Sequence, residues 1–491
     1  MTALIFLVVL FPLGGAIGVA SGLRARGAGG AQIVGAVASL GTALALAVEV
    51  GHRHVQGLDG FLYADSLSVF FAITISAVIV MASLGSAAYL RVEEDRRHFS
   101  SLQVRLYFIF FSIFASGMLG CVFAGNLGLL WVLIEASTLA SAALVGLEAH
   151  ARALEAAWKY VIISSFGVTI ALLATLWLFY AGSALHLTSN QRLTWSFLYL
   201  HASALQTGSL RLAFLLAVIG YGTKVGLAPM HTWLPDAHSE APSPASAMLS
   251  AALLTTGIYA IIRFLAIARV GLGVAYPDHV LLVFGFVTVF IGVIFMVRQG
   301  NFKRTFAYSS IEHMGIVAIA LGFGGVIGLY AALLQILNHA IGKAVLFLSS
   351  GHLTLGYGTR ETSEVRGALS TLPLAGGALV LASLAVAGAP PFGVFLSELT
   401  VLRAGFSDST PFLAGLLLLL LAIGFVALIG NTLAMATGNA PDLAVNPYPR
   451  RSGRVLAAAP LVGGLIALLL LGVWIPGGLN GLITHAVKAI S

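Results

Sequence analysis

The chain has 491 residues, of which 59% are hydrophobic and only 9% are charged, and its mean hydropathy is +0.99. A soluble chain carries about 25% charged residues, so too little charge is present here to cover a water-facing surface, and the sequence reads as an all-α polytopic membrane protein. The net charge of +7 sits at helix ends, not in a nucleic-acid patch, and the single cysteine, Cys121, excludes a disulfide framework, an iron–sulfur site and a structural zinc site.

A helix needs about 20 mostly apolar residues to cross the hydrocarbon core. On that ruler the chain reads as fourteen spans, near residues 3–23, 30–50, 65–90, 104–124, 126–147, 157–181, 209–236, 243–268, 279–298, 302–322, 326–355, 371–405, 411–436 and 455–475. The first lacks a basic leader and a cleavage site, so it reads as a retained span and not a signal peptide. Continuous apolarity excludes the alternating pattern of a β-barrel. Fifteen lysines and arginines fall in the odd-numbered connections, among them Arg24, Arg96, Arg152, Lys303, Arg360 and Arg450, against five (Arg53, Arg192, Arg211, Arg269, Arg403) in the even ones. The positive-inside rule then puts the odd connections in the cytoplasm and both termini on the periplasmic, outer side of a bacterial inner membrane.

Two spans are interrupted. The seventh contains Pro229 and Pro235 within TKVGLAPMHTWLPDA, and the twelfth contains Pro390 and Pro391 within AVAGAPPFGVFLSE. Proline breaks a helix, and freed carbonyls at membrane depth need protein or a water-filled cavity beside them. The breaks are five spans apart, so helices 4–8 and 9–13 cross in opposite senses, the arrangement of inverted halves around a transport site.

An ionisable side chain inside a membrane is a functional candidate. Glu135 lies deep in the fifth span, Lys159 opens the sixth and Lys224 precedes the Pro229 break. Glu312 and His313 lie in the tenth span, His339 and Lys343 share one face of the eleventh, and Glu398 follows the double proline of the twelfth. Burial and a neighbouring opposite charge act on such a group in opposite senses, so a Glu–Lys pair of variable separation is a switchable proton site. Arginine stays protonated, and none of the candidates is arginine. The competing readings are a static ion pair for Glu135 with Lys224, snorkelling for Lys159, a core hydrogen bond for His313, packing for His339 and Lys343, and a watery hinge for Glu398. His231, Asp236 and His238 in HTWLPDAH read as a polar cluster on the cytoplasmic side, too sparse for a metal site.

YGTKVGLAPMHTWLPDAHSEAPSPASAMLSA, FKRTFAYSSIEHMG, LNHAIGKAVLF and GAPPFGVFLSE resemble the motifs of the antiporter-like proton-pumping subunits found in complex I, multisubunit cation/proton antiporters and group 4 hydrogenases. WVLIEASTLASAALVG, LEAAWKY and the glutamate of SSIEHMG are most similar to the F subunit of hydrogenase-4. The resemblance implies fourteen helices with the seventh and twelfth discontinuous. It divides the chain into helices 1–3 (1–100), a first inverted repeat (104–268), a second (279–436) and a C-terminal helix and tail (455–491). It also implies that Glu135 and Lys224 form a coupling pair, that His339 and Lys343 extend a mid-membrane axis, and that Glu398 leads to the second half-channel. Where relatives carry a lysine in the eighth helix this chain has Thr255 and Thr256, so the axis must cross there by hydroxyls and water or through Glu312 and His313. The implied function is proton translocation coupled to electron transfer in peripheral, hydrogenase-like partner subunits, in company with other membrane subunits. No cofactor is expected in this chain, since nickel–iron and iron–sulfur centres would belong to those partners. A sodium/proton antiporter subunit, a membrane partner in inorganic-carbon uptake and an inactive anchor are the rival readings.

Overall fold

Apolar stretches of bilayer length satisfy their own backbone groups only as helices, and the chain is helical almost throughout. The computed structural model describes residues 2–51, 54–183, 185, 187–407, 410–439, 447–448 and 451–490; Arg53 and Arg450 lie outside these. Among the described residues, thirteen helices are long and apolar enough to cross a membrane. They are α1 (Thr2–Ala20), α2 (Ala25–Val50), α3 (Ser66–Asp95), α4 (Ser101–Val122), α5 (Leu127–Glu148), α6 (Ala151–Ala181), α7 (Thr207–Glu240), α8 (Ser243–Leu272), α9 (Ala275–Val297), α10 (Phe302–Phe323) and α11 (Gly325–Tyr357). The twelfth expected span is two shorter pieces, Pro373–Val386 and Gly393–Ser407, together α12, and α13 (Pro411–Ala436) and α14 (Gly453–Val473) complete the set. The apolar cores of α8, α10 and α11 are buried throughout, whereas α1, α2, α13 and α14 are peripheral.

The two breaks are built alike. The first half of α7 ends at Val225, Gly226 takes φ +82°, and the Leu227 N–H reaches back to the Gly222 carbonyl at 2.8 Å. The first half of α12 ends at Val386, Gly388 takes φ +78°, and the Ala389 N–H reaches back to the Leu384 carbonyl at 3.0 Å. Each is a left-handed glycine stop followed by proline. The chain resumes as Trp233–Glu240 and as Gly393–Ser407. Pro235 lies in the first turn of its half-helix and breaks nothing, because a missing N–H there has no partner to lose.

A second pair of features matches. Asn126 caps α5 through the Gly128 and Leu129 amides, and its backbone bridges to Thr194 between α6 and α7. Asn301 caps α10 through the Lys303 and Arg304 amides and bridges to Glu361 between α11 and α12. Among the described residues, the connections of each face bond to one another. On the arginine-rich face Arg96 donates to the Leu355 carbonyl, Arg360 to Glu148 and Glu240, and Arg366 to the Ala434 carbonyl. On the other face a hairpin, β1 (Val55–Gly57) with β2 (Leu62–Ala64), packs beside Trp195, and Tyr330 binds Asn480 beyond α14. One missed crossing would mix these two sets.

Candidate functional site

Lys224 is fully buried at the end of the first half of α7. Its ammonium donates to Thr138 Oγ1 on α5 and to the Tyr160 hydroxyl on α6, both at 2.6 Å, and lies 4.7 Å from the Tyr160 ring centroid. Tyr160 in turn meets Ser141 Oγ at 2.7 Å and stacks on Trp233, whose indole N–H takes the Thr223 carbonyl freed by the break. Glu135, one turn before Thr138, accepts instead from Ser165 Oγ at 2.8 Å. Its second carboxylate oxygen is buried without a partner among the described residues. The expected direct contact of Glu135 with Lys224 is therefore replaced by a hydroxyl cage, with Glu135 close enough to act on Lys224 through space.

The second cluster surrounds the other break. Lys343 is fully buried and donates to the Phe306 carbonyl of α10 at 3.1 Å. One turn away, His339 Nε2 lies 3.3 Å from the Ser250 carbonyl, and its Nδ1 has no partner among the described residues. Ser250 sits in a widened π-helical turn of α8, Leu249–Leu253, and its hydroxyl meets Ser310 at 2.8 Å. Such a turn loosens the carbonyl ladder and exposes an acceptor. The His339 and His313 rings are 5.1 Å apart. His313 binds Gln335 through Nδ1 at 2.9 Å and the Val386 carbonyl, freed by the second break, through Nε2 at 3.0 Å. Ser397 donates to Gln335 Oε1 at 2.5 Å, which orients the Gln335 amide toward His313 and puts the His313 proton on Nε2. Asn338 closes the break by donating to the Gly393 carbonyl at 2.8 Å.

Glu398 is buried against Gly388, where a Cβ would collide with its carboxylate. Glu312 is buried in a niche between Gly292 of α9 and Gly424 of α13, where a Cβ on Gly424 would collide with its Oε1. Glu312 acts on Glu398 through space, and Lys343 acts on Glu312.

Lys224, Glu312, His313, His339, Lys343 and Glu398 are thus all sequestered around the breaks at Pro229 and at Pro390–Pro391, with Glu135 half-buried beside Lys224. Lys159 stands apart. Its side chain is 48% exposed and pairs with Glu155 at 2.6 Å and Asp236 at 3.3 Å on the arginine-rich face. On α8 the Thr255 and Thr256 hydroxyls are turned back onto the Ala252 carbonyl, and Glu312 lies against Gly292 of α9 and Gly424 of α13. Ser250 is the α8 residue that meets His339 and Ser310. His238, expected in a polar cluster on the cytoplasmic side, is fully buried and stacks on Phe347; its position before SEAP at a helix end gave no sign of this.

A separate pair fixes the opposite face. Arg263 of α8 holds Asp65, the cap of α3, through two bonds of 2.8 and 2.7 Å, with Trp195 stacked 4.0 Å from the guanidinium. Burial alone would raise the Asp65 carboxyl, but Arg263 and the Ser68 amide hold it below its usual range.

The solved structures this chain resembles share the architecture. It superposes on a chain of the archaeal membrane-bound sulfane sulfur reductase with a TM-score of 0.83 at 22% identity, covering 99% of this chain and 96% of that one. It also superposes on a chain of the Mrp complex from Dietzia sp. DQ12-45-1b (0.82, 22%, 100% and 98%) and on one of respiratory complex I from Thermus thermophilus (0.81, 24%, 99% and 100%). In sequence it is 38% identical over 315 residues to the hydrogenase-4 component F homolog of Methylacidiphilum infernorum, covering 64% of this chain and 65% of that relative. It is 31% identical over 364 residues to NADH-quinone oxidoreductase subunit N of Desulforudis audaxviator, covering 73% and 70%. The chain thus spans slightly under two thirds of the first of these relatives. Residues 124–424, which hold both breaks and every buried candidate, match the family of the membrane-spanning NADH:quinone oxidoreductase and Mrp antiporter subunits, and the chain belongs to that family.

Proposed function

We propose that the chain is the proton-translocating membrane subunit of a hydrogenase-4-like redox complex. One observation carries this: five buried titratable groups (Lys224, His339, Lys343, Glu312 and Glu398) gather around two helix breaks; hydroxyls hold Lys224, backbone carbonyls hold Lys343 and His339, and no arginine bonds to any of the five among the described residues. Such contacts hold a proton and also let it go. The matched glycine stops and matched asparagine caps support two inverted halves, α4–α8 and α9–α13, each built around one break. The arginine-rich face is the cytoplasmic one by the positive-inside rule, in a bacterial inner membrane. Partner subunits carry the nickel–iron and iron–sulfur centres, and electron transfer there shifts charge near one end of the axis. Moving one charge against 100 mV costs about 2.3 kcal/mol, so the axis needs that outside drive.

The test is donor-driven proton uptake by inverted vesicles holding the assembled complex, read with a pH-sensitive dye. Glu135→Gln and Lys224→Ala should each abolish uptake while assembly in native gels is unchanged. Wild-type uptake in both variants removes the reading. A sodium requirement for uptake points to the antiporter alternative, and copurification of nickel–iron hydrogenase subunits in mild detergent supports the hydrogenase assignment.

A further inference from the structure

The arginine-rich face carries a cavity of about 580 Å³ that the relay above does not use; Glu93, Glu148, His150, Glu240, Arg360 and Glu361 are among its walls. Arg360 spans it, donating to both Glu148 oxygens at 2.8 and 2.9 Å and to Glu240 at 3.0 Å. His150 lies 3.0 Å from Glu148 and 3.7 Å from Glu240. One residue beyond Glu240 the Ala241 carbonyl accepts the Lys303 ammonium at 2.5 Å. Lys303 is 1% exposed, and Arg360, Glu148 and Glu240 all act on it through space.

His238 comes next inward, two residues before Glu240 on the same half-helix. It is 0% exposed, and neither ring nitrogen makes a well-aligned hydrogen bond among the described residues, although the Ser246 backbone lies beside it. Lys303, Lys343 and His339 all act on it through space. A poorly satisfied buried polar group costs up to roughly 1–3 kcal/mol, and at a fully buried imidazole such a cost calls for a function.

We propose that this cavity is the proton entrance that loads Lys343, through Lys303 and His238, while the Glu135–Lys224 pair gates the onward transfer. The inference rests on the proton-translocation reading. A hydronium ion drawn into the cavity by the Glu148 and Glu240 carboxylates gives its proton to the neutral Lys303 amine and leaves as water. The Lys303 ammonium protonates neutral His238, and the imidazolium protonates the neutral Lys343 amine. Each transfer moves one proton and returns its donor to the deprotonated form; nothing is oxidised or reduced. Arg360 stays charged and is a positioning residue that orients the two carboxylates.

Inverted vesicles with the assembled complex test this, with Glu135→Gln as the reference. Lys303→Met keeps the length of the side chain and removes its proton, and it should lower donor-driven uptake at least 10-fold. Lys303→His should restore part of the rate with its optimum moved to lower pH, a rescue that a packing role would not produce. Equal rates for Lys303→Met and wild type, or for the Met and His variants, overturn the proposal. If Lys303→Met does not assemble, the Glu148→Gln/Glu240→Gln double variant reads the same route: a loss of at least 10-fold supports it and an unchanged rate overturns it. Failure here with Glu135→Gln still inactive refutes the entrance alone, whereas an active Glu135→Gln together with an active Lys224→Ala refutes the parent reading.

Discussion

Tyr160→Phe is the most informative single change at Lys224. It removes one hydroxyl and keeps the ring, so the cation–π contact at 4.7 Å and the stacking on Trp233 survive. The lost bond, 2.6 Å long and made by an ammonium, is of the charged kind that contributes about 1.5–3 kcal/mol. At 1.4 kcal/mol per factor of ten, its removal shifts the balance between the hydroxyl-held and Glu135-facing positions of the ammonium by roughly 10- to 100-fold. If transfer requires Lys224 to alternate between the two, donor-driven proton uptake in inverted vesicles should fall by a similar factor. Thr138→Val, which removes the other 2.6 Å bond, should do the same, and both complexes should assemble normally. Wild-type uptake in Tyr160→Phe and in Thr138→Val would refute the alternation, because the volume of each site is nearly conserved.

Other expectations concern the surroundings of the axis. Gly424→Ala should lower proton uptake by displacing the Glu312 carboxylate, while Gly430→Ala on the same helix, where a Cβ meets nothing within 4 Å, should be silent; equal uptake in the two would show that the niche is irrelevant. Lys159→Gln should leave uptake unchanged, since that side chain is half exposed and outside the buried set; a strong loss would bring it back into the relay. Asp65→Ala leaves Arg263 buried and unpaired, a loss of about 3–5 kcal/mol that a lowered melting temperature in detergent should report, with Asp65→Asn/Arg263→Gln recovering part of it. Because the Asp65 carboxyl lies below its usual range, its stabilisation is fully present above about pH 4 and disappears as pH falls through the folded value. Melting of the wild type should therefore lose this contribution only in acid, and Asp65→Ala should lack that acid-dependent component.

The crossings and breaks were legible because they depend on length, apolarity and proline, all local properties. Lys224, His339 and Lys343 were legible because an ionisable residue in an apolar stretch stands out. What remained hidden depends on rotation about a helix axis and on packing between distant segments. Lys159 and Trp158 face outward together, an azimuth that apolarity on all sides of α6 does not encode. Glu312 and His313 are adjacent, yet the 100° step between them sends one to Gly424 of α13 and the other to Gln335 and the α12 break. Lys303 and His238 lie near helix ends, where sequence reads solvent, and only packing against segments distant in sequence makes them interior. The hydroxyl cage between Lys224 and Glu135 needs side-chain positions that no spacing rule supplies.

The way charges are held separates the parts that must stay from those that must move. Where the fold needs a permanent charge it uses arginine with a carboxylate, as in Arg263 with Asp65 and Arg269 with Asp278 at 2.7 Å. Two unit charges 4 Å apart attract by about 4 kcal/mol at an effective dielectric constant of 20, close to a thousandfold hold, which suits an anchor and obstructs a relay. Along the axis, no described ion pair forms between the buried candidates. Lys224 rests on hydroxyls and Lys343 on a carbonyl, and each His–carbonyl contact uses a group freed by a break or by the π turn. Each such contact is worth a fraction of an ion pair, so on the proton-translocation reading a charge change of modest size in a neighbouring subunit suffices to tip one and pass the shift to the next. On that reading the second break has a role beyond a kink: it supplies the Val386 carbonyl to His313, as the π turn supplies the Ser250 carbonyl to His339.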